Sequence, residues 1–306
     1  MLNDRKRLFL NSILIGTVLI LSIVISVLIT SCLTVVCAFL GVSLLSDSWL
    51  LLLVNSIVTF FTYFLCFLIL KAIDKRKIHE IASLNSPTDS SVQGILFILG
   101  CAMVGNFFTF VLNDIITKLT GFQAVQPEVL EESVSTPSEL IFRLFTMALL
   151  PALLEEFAFR GMLLGVLRKY GNWSAILISS IIFALGHGNF VQIPFALVCG
   201  LAAGMVVVIT DSLWPAIIAH FINNAVSIVS SYNTSEQMLT YMGYLVIFFV
   251  FGAVISTIYF ALKGKIKKLN IKGSLSVGKA LLFSFVSPTV IIYVLFQLYS
   301  ALLSRA

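Results

Sequence analysis

Charge is what this chain has least of. Only 11% of its 306 residues are Asp, Glu, Lys or Arg, against about 25% in soluble domains. Beside 59% hydrophobic residues and a mean hydropathy of +1.07, that scarcity excludes an ordinary soluble protein. Cysteine is sparse as well. Cys32, Cys37, Cys66, Cys101 and Cys199 are odd in number, lack CxxC spacing and sit in apolar runs, which argues against disulfides or a cysteine metal cluster and leaves small packing residues. Basic residues are few and gather between apolar runs, the pattern of cytoplasmic loops, so no nucleic-acid partner is implied. The absence of any evident internal repeat counts against an inverted-repeat transporter.

What the chain does have is a succession of apolar runs of about 20 residues, the length that crosses a bilayer as a helix. The first follows Arg5, Lys6 and Arg7 and extends from Leu8 to about Leu45, too long for a cleaved signal peptide, so it reads as a retained span. Others cover Trp49 to Leu70, Val92 to about Leu112, Glu139 to Arg168, Trp173 to His187, Phe190 to Ile209, Leu213 to Val229, Met238 to Leu262 and Lys279 to Leu303. An acidic link with Glu128, Glu131, Glu132 and Pro137 precedes the fourth run, and Lys263, Lys265, Lys267, Lys268 and Lys272 precede the last. With basic segments inside, the pattern predicts an all-α, polytopic transmembrane helix bundle of eight or nine spans, amino terminus in and carboxyl terminus out. Residues 1–306 then form a single integral membrane domain in contact with membrane lipid, in the cell membrane if the source is bacterial. Gly161-x-x-x-Gly165 and Gly200-x-x-x-Gly204 are spacings that let helix backbones approach closely.

Against that background, Leu153-Leu154-Glu155-Glu156-Phe157-Ala158-Phe159-Arg160 stands out. An ionised side chain at mid-bilayer costs roughly 3 kcal/mol on insertion scales, so such residues pair or work. Glu156 and Arg160, four apart, share a helix face and neutralise each other as a structural pair. Glu155 points about 100° away and is left without that partner.

Of the three histidines, His79 lies in a basic loop and reads as a solvated surface residue, whereas His187 and His220 lie in or at the ends of apolar runs. Counted from the basic ends at ~1.5 Å per residue, Glu155 and His187 both fall ~20 Å deep, with His220 and Asn224 at ~14 and ~20 Å. The i, i+4 spacing of His220 and Asn224 puts both on one face, which Asn223 does not share. Three helices thus offer a carboxylate, an imidazole, and an imidazole with a carboxamide at overlapping levels.

Those groups suit amide hydrolysis. A carboxylate in apolar surroundings can take a proton from water, an imidazole beside it can orient that water, and a second imidazole and an amide can hold the tetrahedral oxyanion. Glu155, His187 and His220 equally suit three protein ligands of a divalent metal, zinc above all, with an open position for water. Two other readings use the same residues: a transporter that binds a proton or cation, and a non-proteolytic immunity or scaffold protein.

Glu155-Glu156-x-x-x-Arg160, Phe183-x-x-x-His187 and His220-x-x-x-Asn224, in that order on successive segments, resemble the CAAX protease and bacteriocin-processing family of intramembrane endopeptidases. That family includes the type II CAAX prenyl endopeptidases and lysostaphin-resistance-like proteins. The resemblance covers a core of residues 139–231, with Phe183 as a packing residue. It implies an endopeptidase acting on a peptide or membrane-associated protein substrate near the membrane. In it Glu155 activates water, His187 helps hold that water, and His220 and Asn224 stabilise the oxyanion. It leaves open a metal-free glutamate or a metal mechanism; the chain lacks the HExxH helix that would argue for zinc directly.

Overall fold

The computed structural model describes residues 2–41, 48–73, 76–121, 136–232 and 235–303, and these are helical with no strand among them. Glu128, Glu131 and Glu132 of the acidic link lie outside the described residues. Helices α1 (Leu2–Phe39) and α2 (Ser48–Ile73) pack together. A single turn, α3 (Ile78–Ile81), leads to α4 (Ser91–Thr120). After these come α5 (residues 137–167), α6 (Asn172–Leu185), α7 (Gln192–Thr210), α8 (Trp214–Tyr232) and α9 (Glu236–Leu262). The chain closes with α10 (Val277–Phe285) and α11 (Pro288–Leu303).

The architecture has a centre and two flanks. In the centre α5 contacts α6 and α8, α7 lies along α6, and α4 packs on α7 and α8. On one side α9 covers α4, and on the other α1 packs on α2, α10 and α11 while α2 reaches α5. The buried core follows the same plan, with Met162, Leu164, Val166, Leu167, Ile176 and Val208 fully enclosed where α5, α6 and α7 meet. Outward faces carry Phe107, Phe110, Leu239, Phe251 and Ile255, the apolar surface that a lipid solvent asks for.

Among the described residues, five helices are long and apolar enough to cross a membrane, six if the α10–α11 pair counts as one span bent by 78°. The sequence reading of eight or nine is not reached, and the three missing runs show why. The fourth run is not one regular α-helix, the fifth has only 14 residues as a helix, and the seventh mixes its apolar residues with His220, Asn223 and Asn224. All three belong to the centre, where α5 packs on α6 and α8, α6 on α7, and α8 on α4 and α7.

The basic ends of the central helices converge. Arg168, at the end of α5, reaches Asp211 after α7 at 2.8 Å, and Asn172 at the start of α6 donates to the Lys268 carbonyl at 2.7 Å. Lys268 Nζ in turn donates to the Ile209 carbonyl, and the Leu213 amide donates to Ser83. This clasp gives the central helices a common zero from which depth can be counted. Gly165 sits directly on the Ile81 carbonyl and Gly161 faces Ala82, so this glycine pair admits the short α3 rather than another spanning helix. A Cβ on Gly200 would lie 3.1 Å from both Ser180 and the Arg160 guanidinium, so this glycine lets α7 close over the arginine.

Candidate active site

Helix α5 begins where its sequence says it should. Thr136 accepts a hydrogen bond from the Glu139 amide, and Pro137 occupies the first turn, where its missing N–H costs nothing. Seven residues after Pro137 the regularity fails. Leu144–Leu149 is π-helical, Leu150–Glu156 returns to α, and Phe157–Leu163 is π-helical again. Pro151 is a local cause: having no N–H, it cannot donate to the Met147 carbonyl four residues back. That oxygen instead accepts from Asn224 Nδ2 of α8 at 3.2 Å. Glu155 and Glu156 therefore stand at the end of a short α-helical stretch between two wide ones, the kind of irregularity that recurs at functional sites.

The two glutamates have different surroundings. Glu156 is 2% exposed and Arg160 1%, and Arg160 Nη1 donates to Glu156 Oε1 at 3.0 Å. The guanidinium lies over the Phe183 ring, 3.8 Å from its centroid, a cation–π contact made strong by the absence of water. Glu156 Oε1 has a second donor, His220 Nδ1 at 2.9 Å. A carboxylate only accepts here, so the proton sits on Nδ1 and Nε2 is turned outward. It faces Glu155, whose Oε2 is 3.9 Å away, beyond hydrogen-bond range but within ion-pair distance. Glu155 and His220 are each 16% exposed, so both are open to a small molecule.

His187 comes from the other side of Phe183. It lies just past the end of α6, between Gly186 and Gly188, near where the fifth apolar run was expected to end, and it is exposed. Its Nδ1 donates to the Phe183 carbonyl at 3.1 Å, which again leaves Nε2 free to accept. The His187 and His220 rings stand edge-on to the same Phe183 ring, at 4.9 and 6.4 Å between centroids. Glu155 and His220 are within electrostatic reach of His187. Phe183 is thus the packing residue about which both imidazoles and the arginine are arranged.

Asn224 lies one turn beyond His220 on α8, with one N–H on Met147 and its oxygen accepting from Asn223 Nδ2 at 3.2 Å. The second N–H of its carboxamide remains for a further acceptor. The structure thus brings Glu155 to His220, His220 to Glu156 and His187 to Phe183. It also shows two links that spacing alone did not suggest. Glu156 binds the imidazole as well as the arginine, and Asn224 braces the broken turn of α5. A signal for the second was present in the mid-helix Pro151; the first had none, because it joins residues 64 apart in sequence.

No three His, Cys, Asp or Glu side chains among the described residues are grouped so as to hold a metal ion. Among the described side chains, Cys32, Cys37, Cys101 and Cys199 are free thiols.

Comparison with known proteins bears on the same stretch. Residues 137–226 match the family model for Rce1-like type II CAAX prenyl endopeptidases. The chain is also 29% identical over 139 residues to the membrane-embedded CAAX protease MroQ of Staphylococcus aureus (strain USA300), a match that takes in 43% of this chain and 56% of that protein. The chain thus spans a little over half the length of this curated relative. No solved structure matches it. The chain is an integral, multi-pass membrane protein, similar to the Rce1-like CAAX proteases over the stretch that carries Glu155, His187, His220 and Asn224.

Proposed function

We propose that this protein is an intramembrane endopeptidase of the CAAX-protease type, which hydrolyses peptide bonds of a membrane-associated peptide or protein, near a carboxyl terminus or a leader segment. The observation that carries the reading is the approach of Glu155 on α5 to His220 on α8 at 3.9 Å, both partly open. An acid with no arginine of its own in such surroundings is suited to proton transfer.

In the proposed reaction Glu155 takes a proton from a water held with the help of His187 Nε2, and the water oxygen adds to the scissile carbonyl carbon. His220, as imidazolium, donates Nδ1–H to Glu156 and Nε2–H to the new oxyanion, and the second N–H of Asn224 supports the same oxygen. The C–N bond then breaks, and Glu155 returns its proton to the leaving amine. Glu156 and Arg160 do not touch the substrate; they hold His220 in register. Because the donor set is not grouped as metal ligands, no step is assigned to a metal. Elemental analysis of the purified protein, repeated on His187→Ala, tests that choice: stoichiometric zinc lost with the histidine would replace this scheme by a metal-centred one.

The direct test is hydrolysis of a lipid-anchored reporter peptide by the full chain in liposomes. Cleavage is expected from the wild type and not from Glu155→Gln at equal folded protein. Equal cleavage by the two would end the assignment of Glu155, and transport of a proton or cation without cleavage would favour the transporter reading.

A further inference from the structure

Glu155, His220 and Asn224 stand on helices, but His187 stands in the short link between α6 and α7 and is exposed there. A glycine lies on each side of it, and glycine restricts the backbone least. A group that is to hold one water in one place must itself be held within about 0.5 Å, which takes supporting contacts from rigid neighbours. Something must therefore keep this link still.

Its own hydrogen bonds fix the two ends. The Gly186, His187 and Gly188 amides donate to the Ile182, Ala184 and Leu185 carbonyls, and His187 Nδ1 takes the Phe183 carbonyl among them. At the far end Asn189 Oδ1 accepts from the Val191 amide at 2.7 Å, where α7 begins. Support from outside comes from α11. A Cβ on Gly186 would lie 3.2 Å from Tyr293 Oη, and one on Gly188 would lie 3.0 Å from Gln297 Oε1 and 3.3 Å from Ser300 Oγ. Both neighbours of His187 are thus in contact with the same helix. Gly188 has a left-handed φ of +57°, which favours glycine on that ground alone. Gly186 has a φ of −57°, which any residue adopts; there Tyr293 Oη and the equally near Phe183 carbonyl leave little room for a Cβ.

Tyr293, Gln297 and Ser300 follow one another at i, i+4 and i+7 and so lie on one face of α11. Tyr293 and Gln297 are buried, and Tyr293 Oη donates to the Ile182 carbonyl at 3.4 Å, one residue before the carbonyl that holds His187 Nδ1. The whole of α11 lies outside residues 137–226, the stretch that matches the family model. We infer that this helix belongs to the site: Tyr293, Gln297 and Ser300 are positioning residues that back the His187 link and fix where its imidazole stands. They act through His187 and transfer no proton. The consequence for turnover rests on the proposed hydrolysis; the ordering of the histidine does not.

The chain has three histidines, so histidine-selective 15N labelling of the full chain in lipid nanodiscs gives three sets of ring signals, assigned with His79→Gln and His187→Gln. In the wild type His187 is expected to give one sharp set with its proton on Nδ1. Tyr293→Phe removes the hydroxyl and keeps the ring, and Gln297→Ala opens the space beside Gly188. Each should split or broaden the His187 signals and leave those of His79 and His220 in place. Turnover of the reporter peptide should fall several-fold at unchanged KM, with the unfolding midpoint close to that of the wild type. His187 signals that stay as in the wild type in both variants would overturn the inference. So would equal changes at His220, which would make α11 a general support of the fold. Altered His187 signals with turnover intact would uphold the hold of α11 on the histidine and remove His187 from the proposed reaction. The same NMR response in a wild-type chain that cleaves nothing would fail the proposed function alone.

Discussion

Two arginines of α5, Arg143 and Arg160, each follow a glutamate by four residues, and each pair is buried, yet the two are bonded differently. Arg143 grips Glu139 with two nitrogens, Nε at 3.0 Å and Nη2 at 2.8 Å. Arg160 gives Glu156 one nitrogen and keeps its Nε without a partner, its plane being spent on the Phe183 ring. The Glu156 oxygen that it touches is shared with His220. Identical spacing thus yields a carboxylate held by two nitrogens of one arginine near the start of the helix and, four turns on, a carboxylate shared between an arginine and an imidazole. A doubly gripped carboxylate is suited to fixing a helix in place. One that holds an imidazole as well is suited to passing that order on to a site.

The sharpest way to probe this contrast is to remove the acid that belongs to neither pair. Glu155→Gln is expected to cut hydrolysis of the reporter peptide by ~10²–10⁴-fold, the usual range for a general base, while the thermal unfolding midpoint in detergent stays at the wild-type value. A large fall in that midpoint would make Glu155 a structural acid like Glu139.

Next come the pairs themselves. Removing one partner of a buried ion pair costs about 3–5 kcal/mol, so Glu139→Gln and Glu156→Gln should both lower the yield and the unfolding midpoint. They should differ in turnover per folded molecule, which is expected to survive in Glu139→Gln and to fall in Glu156→Gln because His220 loses its acceptor. If both variants keep wild-type turnover, the distinction drawn between the two clamps is wrong.

Asn224→Ala takes away the donor that Met147 receives in place of Pro151, at ~1–3 kcal/mol for a buried carbonyl left unpaired. Both stability and turnover should decline. Asn224→Asp offers the carbonyl no N–H and adds a negative charge near the proposed oxyanion, so its turnover should be the lower of the two; the reverse order would remove Asn224 from the oxyanion role. The smallest effect is expected from Phe183→Leu. It gives up the cation–π contact, worth about 0.5–2 kcal/mol, and loosens both imidazoles, so KM and turnover should shift modestly without loss of the fold.

Much of this was legible in the chain. Long apolar runs specify helices in lipid because nothing else there satisfies the backbone. A glutamate and arginine four apart specify a pair because the helix repeat brings them together. The same rule could have picked out Glu139 and Arg143, which present the identical signal. Depth counted from the basic ends put Glu155, His187, His220 and Asn224 at overlapping levels, and Glu155 and His220 do approach. That reasoning failed where it assumed straight, complete spans. His187 is in a turn, α5 widens twice, and three central runs are interrupted, short or mixed with polar residues rather than full-length apolar helices.

By itself, then, the sequence determined the solvent of this protein, its helical class, the Glu156–Arg160 pair and the residue types available for hydrolysis. All of these follow from composition and from periods of a few residues. Only the tertiary structure decided that Glu156 also holds His220, that Asn224 takes up the carbonyl Pro151 cannot serve, and that Tyr293, Gln297 and Ser300 of the last helix back the link that carries His187. Such contacts join residues tens to hundreds of positions apart, and the helix repeat, which fixes which face a side chain occupies, says nothing about which other face it meets.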